Sequence, residues 1–378
     1  MTPRTHRLTA RIALALAPAL FSTLAAAGGL QTLSLQVTGG AGLAPAFNPQ
    51  TTRYSTQVQS DIAAVSINAL PADAGAVVSL IVNGKPTDPK TPMLAPLTVG
   101  ANQIEVQVAD AGGKLTDRYQ LAVERESITP VVDKFLKKTF ADTATGRTMP
   151  YRLFVPEGYD GKKAYPLVVF LHGGGERGDD NEKTLTANQG ATVWAKPQEQ
   201  AKRPAFVLVP QGREVWDGGF GRTRNAENKI DLKAAFVPSD DLKTAQRLLQ
   251  QVLADYPGID RKRLYLTGIS QGGLGTWSWN LMEPKLFAAM VPICGGGEPA
   301  QVGVLKDKPL WAFHAATDPI VPAVFSGNAI AALRSAGGQP RYTEYDTSTY
   351  FFPIAHFSWV PAYQNAEMRE WLFQQQAR

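Results

Sequence analysis

The sequence predicts two domains: an all-β sandwich followed by an α/β domain with a mainly parallel sheet. Residues 28–126 alternate apolar and polar side chains in short bursts, such as 33–37 and 104–108, with turn residues between them. A period of two is typical of half-buried strands. Residues 149–378 instead alternate continuous apolar runs with stretches of helical period, which indicates strands covered by helices on both faces. Residues 127–148 are predicted to link the two domains.

The first 27 residues have the three-part pattern of a secretory signal peptide. A stretch with Arg4, Arg7 and Arg11 precedes an apolar run at 12–24, and three alanines follow at 25–27. The apolar run is too short to cross roughly 30 Å of hydrocarbon, and the residue directly after the expected cleavage site is a glycine, not a cysteine that could carry a lipid. We therefore expect an exported protein, periplasmic or secreted, without a membrane anchor.

Charge and cysteine content exclude several classes of protein. The chain has 38 basic and 33 acidic residues, and removal of the three arginines of the predicted signal leaves a net charge of only +2. This balance does not favour a nucleic-acid partner. The single cysteine, Cys294, cannot form an internal disulfide and lies in an apolar run, so we expect a buried small hydrophobic residue.

The first domain resembles the bacterial cadherin-like β-sandwich family. The resemblance lies at 43–49, 53–55, 100–104 and 119–125. It implies an immunoglobulin-like sandwich of six or seven short strands. The acidic calcium-ligand runs of true cadherins are absent, so we expect no metal here.

The second domain shows further buried strands and one clear amphipathic helix. Apolar runs like that at 166–171 recur at 205–210, 263–268, 288–294 and 309–315. Residues 240–256 carry an apolar stripe of helical period, and Ser239 is placed to cap this helix.

A serine lies at a sharp turn between a predicted strand and a predicted helix. Residues 268–272 read Gly-Ile-Ser-Gln-Gly, with a strand before them and a helix predicted over 271–282. This spacing and context are those of a nucleophile elbow, which exposes the hydroxyl above the sheet. We therefore predict Ser270 as a nucleophile.

A serine hydroxyl needs a base to accept its proton, and the chain has only four histidines. His6 leaves with the predicted signal, His172 ends an early strand, and His314 lies within a strand, where a structural role is expected. His356 lies in a loop before the final helix, the place of the base in the chain order serine, acid, histidine. We predict His356 as the base.

Three aspartates lie between the predicted nucleophile and the predicted base. Asp318 directly follows a strand, Asp307 is flanked by lysines before that strand, and Asp346 opens a long loop. Asp318 is predicted as the acid that orients the imidazole, with Asp346 as the alternative.

The acyl-transfer reactions of such a triad need donors for an oxyanion. One predicted donor is the backbone N–H of Gln271, directly after the nucleophile. The other belongs to the glycine-rich run Leu-His-Gly-Gly-Gly-Glu-Arg-Gly at 171–178, where we favour Gly174 and then Gly175. Gln211, at a strand end, and Trp216 are weaker candidates for substrate binding.

The runs at 159–162, 171–181, 268–273 and 356–359 carry a resemblance to a known family. They resemble secreted bacterial α/β-hydrolase esterases related to polyhydroxybutyrate depolymerases and predicted peptidases. The two-domain arrangement is similar to thermostable esterases with an immunoglobulin-like first domain. The resemblance implies hydrolysis of carboxylic esters through an acyl-serine intermediate, with no cofactor. Residues 346–355 depart from the family, which usually has a shorter turn before the histidine.

Two alternatives remain open at the level of sequence. A serine peptidase would use the same triad, because both reactions pass through a tetrahedral oxyanion. A polymer-binding protein with an inactive second domain is the other. The expected substrate is a small-molecule or polymeric ester, and the acyl group, the alcohol and the oligomeric state are left undetermined.

Overall fold

The computed structural model describes residues 29–377 except 39–41, 88–92, 216, 222–224, 226, 228, 230–235 and 350. The predicted signal peptide lies outside this range, so it stays a prediction. Within the described residues, no helix combines the length and the apolar character needed to span a membrane.

The first domain is a sandwich of two sheets. A three-stranded sheet has the order β1-β3-β6, and a five-stranded sheet has the order β2-β8-β7-β4-β5. The strands are β1 (Leu30–Gln36), β2 (Arg53–Val58), β3 (Ala64–Pro71), β4 (Val77–Val82), β5 (Lys85–Pro86), β6 (Met93–Pro96), β7 (Gly100–Ala109) and β8 (Leu115–Arg125).

The alternating pattern of the sequence places one face of each sandwich strand in the core. In β7, Ile104, Val106 and Val108 are fully buried, and the polar residues between them face outward. Tyr119 of β8 is also buried, and its hydroxyl accepts a hydrogen bond of 2.9 Å from the Leu30 N–H, which ties the two sheets together. The predicted sandwich is confirmed, but the described residues of this domain form eight strands where six or seven were expected, because the short strand β5 is too brief to show an alternating pattern.

The second domain is built on one eight-stranded sheet with the order β16-β15-β14-β13-β11-β12-β10-β9. Its strands are β9 (Phe135–Asp142), β10 (Arg147–Phe154), β11 (Tyr165–Leu171), β12 (Phe206–Pro210), β13 (Ile259–Ile269), β14 (Ala289–Ile293), β15 (Trp311–Ala315) and β16 (Arg341–Tyr345). The strands from β12 to β16 pair in parallel, and β9 and β10 pair antiparallel at one edge. The predicted mainly parallel sheet is confirmed.

Helices surround this sheet. They are α1 (Thr129–Val132), α2 (Lys183–Thr186), α3 (Pro197–Lys202), α4 (Asp240–Asp255), α5 (Gln271–Met282), α6 (Val324–Ser335), α7 (Trp359–Gln364) and α8 (Ala366–Phe373). The apolar stripe of α4 is buried, and the Ser239 hydroxyl accepts from the Leu242 N–H at 3.0 Å, so the predicted cap is present.

Part of the segment predicted as a linker belongs to the large sheet. Within 127–148, β9 pairs along its whole length with β10 as the edge strand. Phe135 is buried against Phe154, whereas Leu136 and Lys137 are exposed. An edge strand covered on one side only has too few apolar residues to show the continuous run that marked the central strands.

The two domains are in contact through a mixed interface. Val131 and Val132 of α1 belong to an apolar cluster that extends from the sandwich core to the buried Trp194. At its margin, the Gln189 amide donates to Asp61 of the sandwich at 2.6 Å, and the Phe352 N–H donates to the Thr38 hydroxyl at 3.1 Å. The sandwich therefore touches the long loop that precedes His356.

Candidate active site

Ser270 lies at the turn between β13 and α5, in a backbone conformation with φ +53° and ψ −116°. A side chain at Gly272 would place its Cβ only 1.9 Å from the Leu171 carbonyl oxygen, and one at Gly268 would meet the Gly272 carbonyl at 2.4 Å. The glycines are thus required by the close packing of the turn against β11. Strain at the serine is the cost of exposing its hydroxyl above the sheet.

The structure brings the three predicted triad side chains together in one line. His356 Nδ1 lies 2.7 Å from Asp318 Oδ2, and His356 Nε2 lies 2.9 Å from Ser270 Oγ. A carboxylate can only accept, so Nδ1 carries the proton and Nε2 is free to accept from the serine hydroxyl. The edge of the His356 ring packs against Trp359, with ring centroids 5.4 Å apart.

Asp318 is buried and held by backbone as well as side-chain donors. Its Oδ1 accepts from the N–H groups of Ile320 and Val321, at 2.8 and 3.0 Å. Burial by itself would raise the pKa of Asp318, but hydrogen bonds from His314 and His356 outweigh it and hold that pKa well below its usual value. The alternative acid, Asp346, is fully exposed and bonds to Ser348 in its own loop.

The glycine-rich run lies beside the nucleophile. A Cβ at Gly173 would lie 3.6 Å from Ser270 Cβ, and a Cβ at Gly174 would lie 3.3 Å from Gln271 Cδ. The Gln271 N–H opens α5 and has no partner within the helix. The Gly174 backbone and the Gln271 side chain are therefore neighbours beside Ser270, and the oxyanion donors stay a prediction.

His172 anchors this run to the next strand end. Its Nδ1–H donates to the Gly173 carbonyl at 2.6 Å, and its Nε2 accepts from the Gly212 N–H at 2.9 Å. Complete burial lowers the pKa of His172 to about 4, so the ring is neutral near pH 7. The ring therefore fixes the backbone of the glycine-rich run. Among the hydrogen bonds of the described residues, none joins His172 to Ser270.

Gln211 is buried and has internal partners. Its Oε1 accepts from the Asn181 N–H at 2.6 Å, and its Nε2 donates to the Glu176 carbonyl at 3.0 Å. Both ends of the amide therefore hold the segment after the glycine-rich run, and a role of Gln211 in substrate binding stays a prediction. The other candidate for substrate binding, Trp216, lies outside the described residues.

Asp241 has a structural role that was not recognised in the sequence. It is buried in the first turn of α4, and its Oδ2 accepts from the N–H groups of Arg213 and Gly219 at 2.9 and 2.8 Å. It therefore folds the loop after β12 back toward Gln271, whose Oε1 would lie 2.5 Å from a Cβ at Gly219. The sequence feature that could have indicated this role is the acidic pair Asp240 and Asp241 at the start of the predicted helix.

Two further buried titratable groups lie behind the triad. Cys294 Sγ accepts from the Ser270 N–H at 3.2 Å, and burial raises the pKa of this thiol well above its usual value. Glu176 Oε1 accepts from the Asn188 amide at 3.2 Å, and burial raises the pKa of this carboxyl too. Ligand atoms of Cys294, Asp318 and His356 lie within 4.8 Å of one another, but the hydrogen bonds of the triad already use His356 Nδ1.

Three large apolar residues that are exposed are linked, along the chain or through backbone hydrogen bonds, to the triad and the glycine-rich run. We call Val215, Ile320 and Ile354 the apolar rim; their exposed fractions are 40%, 42% and 38%. Ile320 is bonded to Asp318, Ile354 precedes the turn with His356, and the Val215 carbonyl accepts from Arg177, which also donates to the Gly174 carbonyl. Exposed apolar groups around a polar site are typical of a binding surface for apolar substrate groups.

Comparisons with known proteins agree with this architecture. The model of the cadherin-like β-sandwich domain matches residues 31–126, and a family model described as "Putative esterase" matches residues 143–341, more than half of the chain. A solved structure described as "Crystal Structure of a Thermostable Esterase" is 30% identical and has a TM-score of 0.60; the match covers 86% of this chain and 100% of that one.

Two curated proteins, from Aspergillus niger and Aspergillus terreus, are each named "Probable feruloyl esterase C". Each is 24% identical to this chain, over 187 and 174 residues, which are 50% and 46% of this chain. The matches span 60% and 56% of these relatives, less than two thirds of their length.

Proposed function

From the premise that this chain belongs to the esterase family, we propose that it hydrolyses carboxylic esters through an acyl-serine intermediate. The observation that carries this proposal is the unbroken line from Ser270 Oγ through the His356 ring to Asp318 Oδ2. Each role of the triad is filled by a side chain in hydrogen-bond reach of the next.

The reaction runs in two halves. In the first, Ser270 Oγ attacks the ester carbonyl carbon while His356 Nε2 takes the hydroxyl proton, and the collapsing intermediate releases the alcohol with that proton. In the second, His356 takes a proton from water, which attacks the acyl carbon, and Ser270 leaves with the proton. Asp318 stabilises the imidazolium in both halves.

The oxyanion of both intermediates is stabilised by backbone donors. We assign the N–H groups of Gln271 and Gly174, because these residues are neighbours beside Ser270. Each such donor contributes on the order of 3 kcal/mol to the transition state.

The apolar rim favours esters with an apolar acyl or aryl group. The names of the Aspergillus relatives add feruloyl esters as an aryl class to test. The esterase and peptidase hypotheses are separated by a panel of substrates. It contains p-nitrophenyl esters from acetate to octanoate, methyl ferulate, polyhydroxybutyrate and chromogenic peptides. Peptide turnover without ester turnover would overturn the proposal.

Covalent trapping tests which residue is the nucleophile that would carry the acyl group. A phosphonate reagent should add one mass label per chain, on the peptide that contains Ser270, and abolish hydrolysis in parallel. A label on another residue, with loss of activity, would contradict the assignment of the nucleophile.

Replacement of one rim residue tests the substrate class. We expect Ile320→Ser to lower kcat/KM for octanoate roughly ten-fold and for acetate much less, because only the longer chain loses apolar contact. Val304→Ser is the control, since Val304 is also exposed, at 63%, but lies on a turn at Val302–Leu305 away from the triad. Equal losses for both esters would show that the rim does not bind the chain.

The export predicted from residues 1–27 remains part of the proposal. Mass spectrometry of the N-terminus of protein recovered outside the cytoplasm tests it, with cleavage after Ala27 as the expected result.

A further inference from the structure

A second histidine contacts the acid of the triad. His314 lies on β15 and is completely buried, and its Nε2 lies 2.9 Å from the Val321 carbonyl oxygen and 3.3 Å from Asp318 Oδ2. Both neighbours can only accept a hydrogen bond. His314 Nε2 therefore carries a proton and presents it to the acid.

The other side of the same ring is also fixed. His314 Nδ1 lies 2.8 Å from Ser326 Oγ of α6, and the same oxygen lies 2.9 Å from the Gly295 carbonyl oxygen, so the hydroxyl group sits between the ring and the loop after β14. The ring is thus held between the strand, the helix and the loop after β14, and it cannot turn its Nε2–H away from the acid.

The contact acts on both oxygens of Asp318. His314 shares Oδ2 with His356, and it also holds the carbonyl of Val321, whose N–H donates to Oδ1. Loss of the His314 N–H would therefore remove a donor from the charged oxygen and one contact of Val321, the residue whose N–H binds the other oxygen.

We propose that His314 is a positioning residue for the acid, and that its Nε2–H shares the carboxylate charge that would otherwise act on His356 alone. This inference rests on the proposed function, in which His356 is the base. With the donor present, the charge on Asp318 Oδ2 is shared between two N–H groups, and less of it acts on the imidazolium that forms at His356 during the reaction.

The other titratable groups around this pair do not replace the donor. Cys294 faces Asp318 from the end of β14 and is neutral, because burial raises the pKa of its thiol. Glu176 faces His356 from the glycine-rich run, and burial raises the pKa of its carboxyl as well. Neither supplies a proton to Asp318 Oδ2 in the hydrogen bonds of the described residues.

Replacement of His314 by each of the two amide residues distinguishes a positioning role of its Nε2–H from a merely structural role of the side chain. In His314→Gln the amide nitrogen occupies about the place of Nε2, whereas in His314→Asn it occupies about the place of Nδ1. We expect the acidic limb of the pH profile of kcat/KM to move up by about one pH unit in His314→Asn and to stay near wild type in His314→Gln. A loss of equal factor at every pH in His314→Asn, or a downward move of the limb, would overturn the proposal.

A measurement on the unaltered protein remains decisive if the variants fold poorly. In protein labelled with nitrogen-15 at histidine, Nε2 of His314 should give the signal of a protonated ring nitrogen from pH 6 to 8, and the Asp318→Asn variant should shift it. An unprotonated Nε2 would overturn the inference. Absence of Ser270-dependent hydrolysis would instead reject the proposed function and leave this result standing.

Discussion

The two domains use their strands in different ways. In the sandwich, β7 buries every second side chain from Asn102 to Val108, and the polar residues between them, Gln103, Glu105 and Gln107, face outward. In the large sheet, β11 buries all seven residues, so polar groups are confined to the strand ends. Five neighbouring strands, β11 to β15, are followed within three residues by His172, Gln211, Ser270, Cys294 and Asp318.

This difference explains where the chemistry lies. Parallel strands end at the same edge of the sheet, so five short loops bring their polar residues into one region. Apart from the parallel pair β2 and β8, the strands of the sandwich pair antiparallel and end alternately at opposite edges, which scatters polar residues. The sandwich reaches loops of the second domain through hydrogen bonds at Thr38 and Asp61.

The largest expected effect is the loss of turnover on replacement of Ser270, which tests whether the catalytic residues lie in the second domain. We expect Ser270→Ala to lower kcat for a p-nitrophenyl ester by about 10⁴-fold or more, with an unchanged circular dichroism spectrum. Because triad members act as a unit, the Ser270→Ala, His356→Ala double variant should be little worse than either single variant. Folded Ser270→Ala protein with comparable turnover would reject the assignment.

The choice of acid gives the next largest effect. Asp318→Asn should lower kcat by about 10⁴-fold, because an amide favours the wrong tautomer of His356. Asp346→Asn is the matched control and should stay within about two-fold of wild type, because this carboxyl is exposed. If steady-state kinetics show Asp346→Asn to be the more impaired variant, Asp346 is the acid.

A third prediction concerns stability and the buried His172. Burial lowers the pKa of His172 from 6.5 to about 4, so between these values the unfolded chain binds a proton that the folded protein does not. The titration of His172 therefore has no effect on stability well above pH 6.5, and it lowers the free energy of unfolding as the pH drops toward 4, by about 3 kcal/mol at most. Urea unfolding at pH 7.5 and 4.5 should therefore show a larger loss in wild type than in His172→Gln.

The comparison between wild type and His172→Gln is needed because other groups titrate in the same range. Asp61 and Glu176 have pKa values raised by burial, and this contributes in the opposite direction. An equal loss of unfolding free energy in the two proteins would show that His172 does not supply the pH dependence.

The smallest expected effect lies in the sandwich. Thr38→Val removes the acceptor of the Phe352 N–H, and we expect the free energy of unfolding to fall by about 1 kcal/mol. We also expect kcat/KM to fall roughly three-fold, because Phe352 belongs to the loop that positions His356.

Thr116→Val is the matched control for this variant. Its hydroxyl donates to the Val108 carbonyl within the sandwich, at 3.0 Å, and makes no contact with the loop before His356 in the hydrogen bonds of the described residues. It should lower stability with kcat/KM unchanged. If Thr38→Val behaves in the same way, the sandwich does not influence the site through this contact.

Local patterns in the sequence were sufficient to predict several features of the structure. The helix predicted over 240–256 begins at Asp240 after its Ser239 cap, and the helix after the nucleophile spans Gln271–Met282 as predicted. The buried runs and the glycines of the turn at Ser270 are likewise determined by residues close in sequence. Such features depend on periodicity, caps and backbone sterics, which act over a few residues.

Other features were decided only by the tertiary structure. The carboxyl that reaches His356, the use of Gln211 as an internal brace and the contact of His314 with Asp318 all depend on residues brought together from different loops. Asp318 and Asp346 both precede the histidine in the required order, and only the ends of β15 and β16 place one of them beside the ring and leave the other in solvent. Chain order limits the candidates, but distance and burial decide among them, because both arise from packing between segments far apart in sequence.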